Sequence, residues 1–264
     1  MNWHRISALV LRYTFLYTRS LPRVFEIVFW PVMELMLWGM LTQYLQTGPY
    51  KLPAFINFLL GGMIFWDILY RSQQGTTISF LEDIWARNLI NIFVAPVRVS
   101  EFIIATYCVG FVKILITVAV LGSLAAGLYH FNILSMGWPL IPLFINLLVM
   151  GWSVAMLTTG MIMRWGQASE ALAWGIPFLI QPFCAAFYPV SSMPAWLQPI
   201  ALSIPATHVF EGMRDVLAGQ GLSWTRVLCA TGLNVLYLTA AGLFFRYMYN
   251  SAREKGLLAK LGTQ

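Results

Sequence analysis

Charge is what this sequence has least of. Only 10% of its 264 residues are Asp, Glu, Lys or Arg, while 59% are hydrophobic. A soluble domain carries about 25% charged residues, so a water-facing surface around the whole chain is excluded. Cysteine is scarce too. Cys108, Cys184 and Cys229 lie far apart inside apolar stretches, with no CxxC, and read as small packing residues rather than a disulfide or metal framework. The three histidines, His4, His130 and His208, are scattered and read as interfacial polar residues. No HExxH, paired-carboxylate cleft or nucleophile elbow is visible, so nothing points to a catalytic residue or a metal ligand. No GxxxxGKS or GxxxxGKT occurs, so the sequence offers no phosphate-cradling loop and no cofactor site. The short alternating segments of a β-barrel are missing as well.

Long apolar runs are abundant. A membrane-spanning helix needs about 20 mostly apolar residues, and about six such windows occur. They run from about Val24 to Leu45, Pro53 to Ser79, Phe102 to Leu128, Trp138 to Met163, Leu172 to Tyr188 and Trp224 to Tyr249. The expected fold class is all-α: a polytopic membrane protein with six transmembrane helices in one domain, residues 1–264. The net charge of +6 reports topology rather than nucleic-acid binding. Arg5, Arg12, Arg19 and Arg23 precede the first span, Arg87 and Arg98 follow the second, and Arg164 follows the fourth. Arg246, Arg253, Lys255 and Lys260 end the chain, whereas the opposite side holds Lys51, Arg214 and Arg226. The positive-inside rule places both termini in the cytoplasm.

Residues 2–20 pattern as a helix lying in the membrane interface. Trp3, Ile6, Val10, Tyr13 and Tyr17 form its stripe, and Arg5, Arg12 and Arg19, seven apart, snorkel to lipid phosphates. Arg12 interrupts the apolar run, and no small-residue cleavage site follows, which disfavours a secretory signal. A second amphipathic helix is expected over residues 80–95, stopped by Pro96. Lying between two spans, it leaves the bilayer and presents a cytoplasmic handle. Glu82 and Asp83 suit a positive helix N-terminus, Arg87 follows, and Ile84 or Leu89 provides an apolar anchor.

Residues 189–222 are broken by Pro194, Pro199 and Pro205 and read as two short helices at the outer interface. From Ala206 to Leu217, Val209, Met213, Val216 and Leu217 share one face and His208, Glu211, Arg214 and Asp215 the other, with Gly219 and Gly221 ending the helix. Pro177 and Pro182 kink the fifth span.

Four charges fall inside the spans: Glu34, Asp67, Arg71 and Lys113. Each alone in the bilayer costs about 3 kcal/mol on insertion scales. Asp67 and Arg71 are four apart in the favourable order, and a Glu34–Lys113 pair is open across spans. Glu26, nearer the cytoplasm, has Arg19 or Arg23 as partner. The set reads either as a neutral packing network or as the polar part of a path. Aromatics within spans, among them Trp30, Trp38, Tyr70 and Phe178, suit both core packing and stacking on a ligand.

Six spans, the cytoplasmic segment RNLINIFVAPVRVSEF and the stretch YPVSSMPAWLQPIALSIPATHVFEGMRD before the last span together resemble the ABC type-2 transporter permeases. These are membrane subunits of ATP-driven exporters of polysaccharides, lipids and drugs. The resemblance implies a cytoplasmic (inner) membrane location, a second permease copy, and an ABC ATPase in two copies that binds ATP and Mg. It implies coupling through Glu82, Asp83, Ile84, Arg87, Leu89 and Asn91, and an external gate around Pro189, Pro194, His208, Glu211 and Arg214. Membrane lipids are the remaining expected partner. A secondary transporter is the alternative, although only the fifth span is broken and no inverted repeat stands out. A structural membrane protein without an ATPase also stays open.

Overall fold

The computed structural model describes residues 2–47 and 53–257. The turn around Pro49, Lys51 in it, and the end of the basic tail, Lys260 included, lie outside the described residues. The helices are α1 (Trp3–Thr18), α2 (Leu21–Thr47), α3 (Pro53–Trp85), α4 (Leu89–Val94), α5 (Val99–Tyr129), α6 (Leu140–Trp165), α7 (Glu170–Ile180), α8 (Gln198–Leu202), α9 (Pro205–Leu217) and α10 (Trp224–Glu254). No strand occurs among the described residues.

Four of these helices, α2, α5, α6 and α10, are long and apolar enough to cross a membrane. The other two expected spans differ in form. The 33 residues of α3 rise about 50 Å, well beyond about 30 Å of hydrocarbon, and a polar run, Arg71 to Thr77, interrupts them. Helix α7 has only 11 residues. It stops before Pro182, which opens a 3-10 turn over Gln181–Phe183, and Ala185 then bends the chain at φ 54°.

The cytoplasmic helix expected over residues 80–95 is also arranged differently. Helix α3 continues through Glu82 and Asp83 to Trp85 because Phe80, Leu81 and Ile84 are buried, so packing prolongs the helix past Ser79. The Asn88 amide then bonds the Asp83 carbonyl, Arg87 takes φ 53°, and six residues of α4 follow. Glu82 and Asp83 therefore stand at the negative end of α3, not at a helix start.

Helix α3 packs on both α5 and α6, and α6 packs on α10. The approaches are close. A Cβ on Gly75 would lie 2.7 Å from the Gly110 Cα of α5, and one on Gly151 of α6 would lie 2.4 Å from the Ser72 Cβ. Two apolar clusters result. One joins Leu60 and Ile64 of α3 to Leu121, Leu147, Phe210 and Met213. The other joins Phe80 and Ile84 to Ile6, Tyr13, Phe102 and Phe245. Along α3 a buried polar layer separates them. Ser72 Oγ donates to the Leu148 carbonyl at 2.7 Å, Gln73 Nε2 donates to the Ala173 carbonyl at 3.1 Å, and the Thr77 and Thr158 hydroxyls lie 2.8 Å apart. Polar groups at membrane depth must find partners within the protein, and these tie α3 to α6 and α7.

Candidate functional site: a charged, aromatic cavity

Helical spacing builds this site. Trp30, Glu34 and Trp38 recur every four residues and so share one face of α2. Asp67 and Arg71 do the same on α3, and Trp174 and Phe178 on α7. These faces, with Lys113 of α5, enclose a cavity of about 670 Å³. All four charges singled out within the spans line it.

Asp67 is buried and accepts from Arg71 at 3.2 Å. The Glu34–Lys113 pair does not form. Lys113 Nζ instead sits 3.6 Å from the ring centroid of Tyr17, because α1 folds back and brings that ring over it. Glu34 lines the cavity and has no ion pair within 4 Å among the described residues. Glu26 lines the cavity but pairs with neither arginine: Arg23 meets Glu82 at 3.4 Å, and Arg19 lies 5.3 Å from the Phe15 ring centroid. Tyr70 and Phe178 stand 5.5 Å apart across the α3–α7 wall.

Three carboxylates, one of them (Glu82) on the cavity wall, hold α1. Asp83, 1% exposed, accepts from Arg12 and from the Tyr13 hydroxyl. Glu82 meets Arg23 and the Tyr17 hydroxyl, 3.3 Å away. Glu101 accepts from the Asn2 and Arg98 amides at 2.7 and 3.0 Å, with Arg5 at 3.7 Å. Burial and the neighbouring carboxylates push both phenols well above the usual tyrosine range, so they stay protonated donors. Arg5 and Arg12 therefore turn to carboxylates rather than to lipid phosphates, and Leu9 joins Ile6 and Tyr13 in the buried face while Trp3 is exposed. Acids at a helix C-terminus are unfavourable unless compensated, and the arginines compensate them.

The residues expected to couple to an ATPase thus divide. Asp83 and Ile84 are buried, Glu82 is mostly covered, and none of them presents a docking surface. Trp85, Arg87 and Asn91 are exposed, as is Val94 at 80%. Leu89 begins α4, and its side chain lies outside the described residues. Trp85 Nε1 donates to Glu170 at 3.3 Å, joining the α3–α4 corner to the start of α7.

At the opposite end Glu211 accepts from the Val190 amide at 2.9 Å and from Arg214 at 2.7 Å, which fastens the segment after Pro189 to α9. Burial raises the affinity of Glu211 for a proton, but the amide and arginine outweigh it and hold its carboxyl below the usual range. Arg226 adds a bond to Asp215 at 2.7 Å. Pro194 lies apart in the turn before α8, and His208 Nε2 contacts the Leu202 carbonyl at 2.8 Å. Pro177 is buried inside α7, and the Pro182 carbonyl accepts from Tyr188.

Sequence reasoning missed Tyr13, Tyr17 and Gln73. The run RSQQGTT inside an apolar window is a readable signal for Gln73. The tyrosine partners, more than 60 residues away in sequence, have no local signal.

Residues 40–247 match the family model described as ABC-2 family transporter protein. A relative, ABC transporter G family member 20 of Dictyostelium discoideum, is 27% identical over 179 residues, which cover 67% of this chain and 24% of that protein. The match thus spans about a quarter of the relative's length. The chain belongs to the ABC-2 transporter family and is a membrane permease of that family.

Proposed function

We propose that this chain is the membrane-spanning subunit of an ATP-driven exporter and that the cavity between α2, α3, α5 and α7 is part of its substrate path. The observation that carries this is the convergence of Glu34, Asp67, Arg71 and Lys113, from three helices, on one cavity. Ionisable groups at membrane depth face a protein interior or a water-filled passage. In this reading α2, α3, α5, α6, α7 with its 3-10 extension, and α10 serve as the six spans, with both termini in the cytoplasm of an inner-membrane protein. A second permease copy covers the part of the exposed face of α2 away from the cavity, which includes Met40 and Tyr44. Pro177 and Pro182 shape the bend of the fifth span beside the path, and the Glu211–Arg214 cluster closes its outer end.

The ATPase, which binds ATP and Mg on its own chains, docks on the exposed corner from Trp85 to Val94. The family membership and the exposure of this corner support that assignment. Val94→Asp, alone or with Asn91→Lys, is expected to cut ATPase co-purification and substrate-stimulated ATP hydrolysis several-fold while the permease still reaches the membrane. Desolvated charges without partners at an interface cost about 2–5 kcal/mol. Unchanged co-purification and hydrolysis would remove the corner from the coupling path.

Topology gives an independent check. On a cysteine-free background, an impermeant thiol reagent added outside intact cells is expected to label Ser191→Cys and to leave Arg253→Cys unlabelled, both positions being exposed. The opposite pattern overturns the orientation.

A further inference from the structure

The four intramembrane charges are not equally compensated. Arg71 engages Asp67, and the Tyr17 ring covers Lys113. Glu34 has no ion pair within 4 Å among the described residues. Its surroundings are aromatic: Trp30 and Trp38 one turn to either side, with Tyr70, Trp174 and Phe178 also on the cavity wall. Trp30, Trp174 and Phe178 are 63%, 39% and 54% exposed, so their faces are accessible rather than consumed by packing.

A carboxylate framed by open π faces attracts one kind of ligand, a cation with an apolar body. The ring quadrupoles favour positive charge over their faces, and aromatic cages recognise quaternary ammonium groups on this basis. The wall carries four carboxylates, Glu26, Glu34, Asp67 and Glu82, against three cations, Arg23, Arg71 and Lys113. An anionic headgroup therefore meets a wall of net negative charge, and a neutral sugar stacks on the rings but leaves that charge unanswered. A volume of about 670 Å³ suits a compact molecule, since small-molecule pockets span about 300–1,000 Å³.

We propose that the cavity selects amphipathic organic cations, with the positive centre at Glu34 beside the open face of Trp30 (Trp38 being stacked on Phe187) and the apolar body against Tyr70, Trp174 and Phe178. This rests on reading the cavity as the substrate path, and it names the substrate class.

The test uses two ions of the same shape and opposite charge, tetraphenylphosphonium and tetraphenylborate. Binding to the full chain in nanodiscs is measured by equilibrium dialysis, with empty nanodiscs subtracted. The expected result is saturable tetraphenylphosphonium binding at least about tenfold tighter than tetraphenylborate binding, a gap of about 1.4 kcal/mol. Glu34→Gln should lose about that factor at an unchanged melting temperature, and Glu34→Asp should retain most of the affinity. Trp30→Ala, at an exposed position, should weaken the cation several-fold. Equal binding of the two ions, or wild-type affinity in both Glu34→Gln and Trp30→Ala, overturns the proposal. The path reading is scored separately by ATP hydrolysis of the co-purified complex. Selective binding that leaves hydrolysis unmoved counts against the path alone, whereas equal binding of both ions with stimulated hydrolysis counts against the cation selectivity alone.

Discussion

Gly151→Leu is expected to destabilise the folded protein strongly. A Cβ there would sit 2.4 Å from the Ser72 Cβ and 2.7 Å from the Leu69 carbonyl oxygen, and neither belongs to the end of a flexible side chain. Helices α3 and α6 must part. The Ser72 hydroxyl, 1% exposed and bonded to the Leu148 carbonyl at 2.7 Å, then loses its acceptor. Overpacking costs about 1–3 kcal/mol, and an unsatisfied buried polar group costs about as much again. Together these predict a melting temperature lower by roughly 10 °C, measured in detergent by the loss of monodisperse protein on heating. Gly127→Ala is the control, since nothing lies within 4 Å of a Cβ at Gly127. A Gly151→Leu protein that melts like the wild type would mean that the two helices do not approach there.

Asp83→Ala is the second large effect. It strips the acceptor from both the Arg12 guanidinium and the Tyr13 hydroxyl, and Tyr13 is fully buried. Removing one partner from a buried charge pair costs about 3 kcal/mol or more. The loss falls on the docking of α1, so faster amide exchange across Trp3–Thr18 should precede any change in α6 or α10. The double change Arg12→Met with Asp83→Leu should recover part of the stability, because apolar replacement of both partners removes the unpaired charge. Unaltered exchange in Asp83→Ala would show that apolar contacts alone hold α1. Because Glu82 and Asp83 serve this latch, reversing both to lysine is expected to release α1.

The residues of the cavity were largely readable in the sequence. A charge inside an apolar run stands out, so Glu34, Asp67, Arg71 and Lys113 were legible one by one. The Asp67–Arg71 pair was legible too, since residues four apart meet on a helix. The partner of Lys113 was not. It is the ring of Tyr17, 96 positions away in numbering, delivered by the fold-back of α1. The aromatic setting of Glu34 was half legible: the four-residue rhythm of Trp30, Glu34 and Trp38 is local, but the approach of Trp174 and Phe178 from α7 is not. The α3 boundary went the other way. Glu82 and Asp83 look like the start of a new helix, but they finish an old one, because burial of Phe80, Leu81 and Ile84 against α1 and α5 carries α3 onward.

Composition and period by themselves determined that this chain is helical and belongs in a membrane. Its hydropathy is a property of consecutive residues, and its helix faces recur at a spacing set by the backbone. Only the tertiary structure decided which carboxylates are exposed, which arginines answer them, and that Glu34 stands among aromatic rings with no ion pair within 4 Å among the described residues. Those outcomes depend on which distant segments meet. Such meetings are selected by the summed packing of whole helices, to which any single local pattern contributes a small part.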